Sequence, residues 1–201
     1  QMIKNIRRYK GLPSENLRGT FRRINIKGDL SQWNNVSSYK NVGSVAVARS
    51  SYGVSKSVYY EQPAPVNNLQ EIKVAHDEDY FYFYIRTEKD FKPADTPLKG
   101  LNVYIGVGDQ SVKRWKGYEF IIEQQPNAKG FTVKKLNEAF APAPIDKVDF
   151  SIKKDVVQLK ILRKQLKPDS NAKRIYFKVT DGIEQPDDIM NTYLSGSAMP
   201  M

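Results

Sequence analysis

Residues 71–87 read EIKVAHDEDYFYFYIRT, and this stretch decides the fold. Ile72 and Val74 alternate with polar neighbours, which is the period of a strand with one buried face. Residues 76–79 are four polar turn formers. Residues 80–87 then carry aromatic or β-branched side chains at seven of eight positions, the composition of a strand covered on both faces. Phe81, Phe83 and Ile85 share one face and suit a dry core. Tyr80, Tyr82, Tyr84 and Arg86 share the other, where rings pack while polar tips reach an edge or water. The stretch predicts an antiparallel hairpin at the centre of an all-β domain.

Outward from this hairpin, strand signals recur at short intervals between turn signals. Towards the N-terminus, residues 20–26 (TFRRINI) predict an opening strand, residues 27–29 a turn, and residues 30–39 a segment around Trp33 with one helical turn opened by Asp29. A short strand is expected at 44–48 and a long surface loop at 57–70. Towards the C-terminus, strands are expected at 101–107, 118–124, 131–136, 148–152, 156–162, 174–179 and 189–194. Residues 139–144 read as a Pro/Ala connector and 163–166 as a single helical turn. Roughly eight to ten strands with almost no helical periodicity predict an antiparallel β-sandwich or barrel. Residues 1–19 show no sustained period and read as a tail or interdomain linker, leaving 20–201 as the domain.

Composition narrows the classes of partner. The 201 residues include 2 Trp, 12 Tyr and 9 Phe, enough large side chains to build a core at this length. There is no cysteine, hence neither a disulfide framework nor a thiol nucleophile. With a single histidine as well, a zinc site has too few ligands. No run of 18 apolar residues is present to span a membrane, and residues 1–10 carry no apolar signal-peptide core. The net charge is +10, but the basic residues are scattered among expected turns and strand ends, with no nucleic-acid-binding motif among them. They read as solvated surface charge rather than a nucleic-acid site.

Several phrases add a family resemblance. IKGDLSQW (26–33) resembles the I-D-G-x-x-x-x-W opening of β-sandwich modules akin to carbohydrate-binding module family 9, with Lys27 where the usual Asp stands. KVAHDEDYFYFYIRTEKDF (73–91) resembles that group's central hairpin. RWKGYEFIIE (114–123) is similar to the W-x-G-Y-[DE]-[FY] strand of a subgroup found C-terminal to catalytic domains of bacterial glycoside hydrolases. VVQLKILRKQL (156–166) and FKVTDGIEQPDDIMNTYLSG (177–196) resemble its later elements, and NIRRYKGLP (5–13) its linker. The chain departs from the group at Tyr104-Ile105-Gly106, where an Asp normally closes the strand. The resemblance implies a jelly-roll-like β-sandwich that is not itself an enzyme. It would be attached to a glycoside hydrolase, be secreted, periplasmic or cell-surface, and have a polysaccharide or oligosaccharide as partner.

Candidate chemistry follows from what a sugar needs. Its rings have apolar C–H faces and a fringe of hydroxyls, so a site wants an aromatic platform beside hydrogen-bonding side chains. Trp115, with Arg114, Tyr118 and Glu119, supplies that combination in and after a loop; a Trp folded back over the end of the sandwich is the alternative that its motif fits better. Tyr59 and Tyr60 are loop candidates that either bind or pin the loop. Trp33 reads as a core plug, and the tyrosine stripe 80/82/84 as sheet packing more than a surface for ligands. Glycoside hydrolysis needs two carboxylates about 5–9 Å apart, whereas Glu119 and Glu123 would lie about 13 Å apart on one strand at ~3.3 Å per residue. His76 reads as a turn histidine with no nucleophile placed near it. No cofactor is implied. A structural calcium ion could draw on Asp77, Asp79, Asp187 and Asp188. The expected function is a non-catalytic carbohydrate-binding module; the alternative is a C-terminal domain that buttresses a catalytic domain without binding sugar.

Overall fold

A computed structural model describes residues 19–40, 50–52, 59–61, 67–88, 90–91, 101–107, 118–124, 130–137, 142–166, 175–181 and 193–198. The expected tail and the strand expected at 44–48 lie outside these residues. Thirteen strands are described: β1 (Thr20–Phe21), β2 (Ser38–Lys40), β3 (Ser50–Tyr52), β4 (Tyr59–Glu61), β5 (Leu69–His76), β6 (Tyr80–Thr87), β7 (Asn102–Val107), β8 (Phe120–Gln124), β9 (Phe131–Lys135), β10 (Ala143–Lys153), β11 (Val156–Leu162), β12 (Ile175–Thr180) and β13 (Tyr193–Ala198). Among the described residues, helix is confined to a 3-10 turn at Leu30–Trp33 and one α turn at Arg163–Leu166.

All but β3 and β4 join in one sheet, ordered β1-β5-β6-β11-β10-β9-β8-β7-β12-β13, with β2 also on the outer edge of β5. Only β1 runs parallel to its neighbour; every other pairing is antiparallel. The strand β10 makes the fold. Its residues from Asp149 to Lys153 pair with β11, while those from Ala143 to Val148 pair with β9. One strand therefore belongs to two layers, and the sheet turns over on itself at this corner. A register shift between Pro144 and Asp146 lies near the start of the same strand, where a proline that lacks an N–H is tolerated beside a bulge.

The two layers close on each other through the side chains read from the central hairpin. Val74 opposes Phe83 and Ile72 opposes Ile85 across β5 and β6; on the other side Phe83 opposes Leu159 and Ile85 opposes Val157 of β11. These residues meet Val103, Ile105, Phe120, Ile122, Val133, Phe177 and Val179 of the second layer in one buried cluster. Phe177 sits edge-on to Phe83 at 5.7 Å and to Tyr39 at 5.2 Å, a geometry that suits the ring quadrupoles. Each such side chain contributes roughly 1.5–3 kcal/mol on burial. The all-β sandwich is thus the fold.

The opposite face of the hairpin is covered too, by residues 24–36. Ile24, Ile26, Trp33 and Val36 bury against Ala75, Tyr82, Tyr84 and Val156. That cover explains why the expected opening strand 20–26 pairs only at Thr20–Phe21: the chain leaves the edge of β5 to cross this face. Three other boundaries differ from expectation. The loop expected at 57–70 contains β4, which pairs with β3, and ends in β5. Ala143–Pro144, expected as connector, already pairs with Lys134–Lys135. The last described strand, Tyr193–Ala198, overlaps the expected 189–194 at 193–194 and runs on beyond it, following β12 residue for residue from Thr180↔Tyr193 to Ile175↔Ala198; residues 189–192 lie outside the described residues.

Candidate functional site

The residues singled out by sequence do not gather in one place among the described residues. Trp115 and Arg114 lie outside them, as do Asp187 and Asp188. Tyr118 is half-buried, its ring 5.8 Å from Tyr104, packed with Ile121 and Leu136 on the outer face of the second layer. Glu119 is held through its backbone: its N–H donates to the Ile105 carbonyl at 2.9 Å, and its carbonyl accepts from Leu136 at 2.7 Å. Tyr59 and Tyr60 belong to the β3–β4 ribbon, opposite Tyr52 and Ser51. Glu123 pairs with Lys134 on the neighbouring strand.

The calcium candidates that are described sit in the β5–β6 turn. Both Asp77 oxygens take hydrogen donors: Oδ1 accepts from the N–H groups of Asp79 (2.9 Å) and Tyr80 (2.7 Å), and Oδ2 from the Tyr82 hydroxyl (2.6 Å). Burial alone would raise this carboxyl. The Tyr82 and backbone bonds, with the positive charge of Arg23, outweigh burial and hold it below the usual carboxylate range. The same bond acts in reverse on Tyr82, whose phenol is raised well above its ordinary value, first by burial and then by Asp77. Among the described residues no group of three or more His, Cys, Asp or Glu side chains converges on a common point. No described helix is long and apolar enough to cross a membrane.

A site does form elsewhere, on the face crossed by residues 23–32. A half-open groove of about 980 Å³ runs between that segment and the β9–β10 corner, across β6 and β11. Arg23, Asn25, Lys27 and Gln32 line it from the N-terminal segment, Tyr80 and Tyr82 from β6, Lys160 from β11, and Lys147, Asp149 and Phe150 from β10. The alternation of β10 produces its part of this lining: Val148 turns into the core, so Lys147 and Asp149 turn out.

The N-terminal wall is fixed by a short-range lattice of bonds. The Asn25 N–H donates to Gln32 Oε1 at 2.9 Å, and Gln32 Nε2 donates to the carbonyls of Asn25 (3.1 Å) and Asp29 (2.7 Å). Asp29 caps the 3-10 turn by accepting from the Ser31 N–H at 2.7 Å. Gly28 leaves space for this lattice: a Cβ at this position would come within 2.7 Å of Gln32 Nε2 and 3.1 Å of the Asn25 oxygen, so the Gln32 amide would have to shift. Lys153 reaches across to the carbonyls of Lys27 and Gly28 and ties the wall to β10.

Charge in the groove is one-sided. Lys160 Nζ lies 4.0 Å above the Tyr80 ring and 3.9 Å from Asp149 Oδ2, so that cation and that carboxylate offset each other. Arg23, Lys27 and Lys147 are exposed and form no ion pair among the described residues. Asp149 is the one carboxylate among the described residues lining the groove, where glycoside hydrolysis works with two. What the groove offers is a half-exposed tyrosine, a half-buried phenylalanine, and charged and amide groups around them.

Sequence reasoning missed this groove. Its residues come from five separated stretches, and the tyrosine stripe was its single visible trace. No protein-family model matches the chain, and no curated protein matches it. Among solved structures it is similar to a carbohydrate binding module family 9 from Caldicellulosiruptor kristjanssonii in complex with cellotriose, at 12% identity over 92% of each chain, with a TM-score of 0.39.

Proposed function

We propose that this protein is a non-catalytic carbohydrate-binding module and that its groove beside Tyr80 holds an oligosaccharide or a stretch of polysaccharide. The observation that carries this reading is the pairing of aromatic rings with hydrogen-bonding groups in one open groove on a rigid sheet. The half-exposed Tyr80 ring, with the Lys160 ammonium over one face, and the half-buried Phe150 ring, packed on Phe131, offer their remaining apolar surface to the C–H groups of a sugar. Asp149, Lys147 and Lys27 stand around them as partners for hydroxyls. A groove open to solvent admits a chain end or a mid-chain segment. The sequence resemblance to carbohydrate-binding module family 9 points to the same class.

The finer reading follows from that resemblance. The module serves a secreted glycoside hydrolase and raises the enzyme's effective concentration on its polysaccharide through a linker. Trp115 and Arg114, with Tyr118 and Glu119, remain the proposed second contact, and a structural calcium ion using Asp187 and Asp188 remains part of the proposal.

Thermal melting of the full chain with and without a panel of neutral and acidic oligosaccharides tests the reading. Binding to the folded state alone raises the midpoint with ligand concentration. A midpoint that stays constant for every glycan at millimolar concentration, together with no retardation in affinity gels, overturns it.

A further inference from the structure

We infer that the ligand of the Tyr80 groove is an anionic glycan, one bearing uronate carboxylates or sulfate groups, rather than a neutral sugar chain. The inference rests on the carbohydrate-binding reading above and specifies its ligand.

The argument is a count of donors and charges. Once Lys160 and Asp149 are set against each other at 3.9 Å, the groove keeps Lys27 and Lys147 with no ion-pair partner among the described residues, beside Arg23, whose charge also acts on Asp77. These side chains carry donors only and have no acceptor to give. A neutral sugar hydroxyl both donates and accepts, and is best met by a mixed set such as amides and carboxylates. Lining a groove with three cations serves a neutral ligand poorly, because each cation surrenders hydration without receiving a counter-charge. A carboxylate or sulfate on the sugar supplies that charge and makes charge-assisted bonds, which are shorter and stronger than neutral ones.

The arrangement also suits a ring with an acidic substituent. Tyr80 already accepts one cation on its face, so the aromatic platform and the positive rim are adjacent. Lys27 is carried on the turn that Lys153 clamps from β10, which holds the backbone of the basic wall against the sheet. The three cations come from both sides of the groove, Arg23 and Lys27 from one wall and Lys147 from the other. A polyanionic chain lying along it would be met from both flanks.

Isothermal titration of the full chain with oligogalacturonate, oligomannuronate and a heparin-derived oligosaccharide tests this. Each is compared with its methyl-esterified or desulfated counterpart. At least one acidic form is expected to bind ten-fold or more tightly than its neutralised counterpart, with affinity falling as salt rises. The exposed double substitution Lys27→Ala/Lys147→Ala is expected to remove most of that difference without lowering the melting temperature. Equal affinity for acidic and neutralised forms overturns the inference and leaves the carbohydrate reading in place. Binding of no glycan at all overturns both. Tighter binding of a single-stranded oligonucleotide than of any acidic glycan also overturns it and makes nucleic acid the partner.

Discussion

The indole N–H of Trp33 donates to Oε1 of Gln158 at 2.8 Å, and Nε2 of Gln158 donates onward to the Ile26 carbonyl at 2.9 Å. Trp33 is 1% exposed and Gln158 fully buried. One amide on β11 thereby satisfies two of the polar groups that the N-terminal segment brings to the sheet when it crosses it. Three residues of the phrase IKGDLSQW act here: Ile26 lends its carbonyl, Trp33 its N–H, and Gly28 between them leaves room for Gln32. Replacing Gln158 by Leu keeps the volume and removes both partners. Each orphaned group costs about 1–3 kcal/mol, so Gln158→Leu should destabilise by about 3 kcal/mol in urea unfolding. A loss below about 1 kcal/mol would mean the segment is held by apolar contact alone.

Asp181 does comparable service at the other end of the sandwich. It is buried at the end of β12, and its carboxylate accepts from the N–H groups of Asn67 (2.9 Å) and Asn68 (2.7 Å) and from the Asn67 amide (2.7 Å). Asn68 sits at φ 57°, a conformation that asparagine tolerates. The bonds therefore fix how the chain enters β5, the first strand of the central hairpin. Asp181→Ala should cost about 2–3 kcal/mol, the range for bonds to a charged group. Backbone hydrogen exchange should show the loss at residues 67–69 before the rest of the sheet.

These two residues also show what the sequence disclosed. The hairpin was legible because Phe81, Phe83 and Ile85 alternate with tyrosines at the strand period, and period is local information. Trp33 was legible as a plug because it follows a capped turn. Gln158 and Asp181 were not, since a polar residue inside a strand announces no partner 125 or 114 positions away. The groove was hidden for a related reason. Lys147 and Asp149 face Tyr80 only because β10 changes layers midway, and nothing in PIDKVDF tells a single-layer strand from one that turns a corner. The Trp115 motif was legible as words, and its place lies outside the described residues.

Acid sensitivity should trace to the join between β1 and β5. His76 is 1% exposed, its ring edge-on to Phe21 at 5.4 Å, and neither ring nitrogen makes a hydrogen bond among the described residues. Burial lowers its pKa below 6.5; the Asp77 backbone opposes this, the charge of Arg163 adds to the lowering, and the Gly19 backbone and the Asp77 charge oppose it less. The unfolded chain therefore binds the proton more readily, so stability is whole above pH 6.5 and falls as pH drops from there towards the folded-state value. Asp77, held below 3.8, adds a second loss at lower pH when it protonates. The melting temperature should decline between pH 7 and pH 5, and His76→Leu should flatten that decline while leaving the drop below pH 4. A variant with the unchanged wild-type profile would place the sensitivity elsewhere.

Tyr80 and Tyr82 lie on one face of β6 with rings 6.2 Å apart, yet the structure gives them different work. Tyr82 is 1% exposed and its hydroxyl is spent on Asp77 at 2.6 Å, so its loss belongs to folding. Tyr80 is half-exposed at the groove, with the Lys160 ammonium over its ring, so its loss belongs to binding. Tyr82→Phe should cost about 1.5–3 kcal/mol of stability, the worth of a bond to a carboxylate, and lower glycan affinity less than Tyr80→Ala does, because the lost hydroxyl is bonded to Asp77 and not open to the groove. Tyr80→Ala should weaken glycan binding about two- to ten-fold, since contact with an aromatic ring is worth about 0.5–1.5 kcal/mol. Parallel titration and denaturation of the two variants reads both effects. If Tyr80→Ala unfolds the chain as readily as Tyr82→Phe and binds glycan undiminished, the tyrosine stripe is packing throughout, and the groove is not where sugar is held.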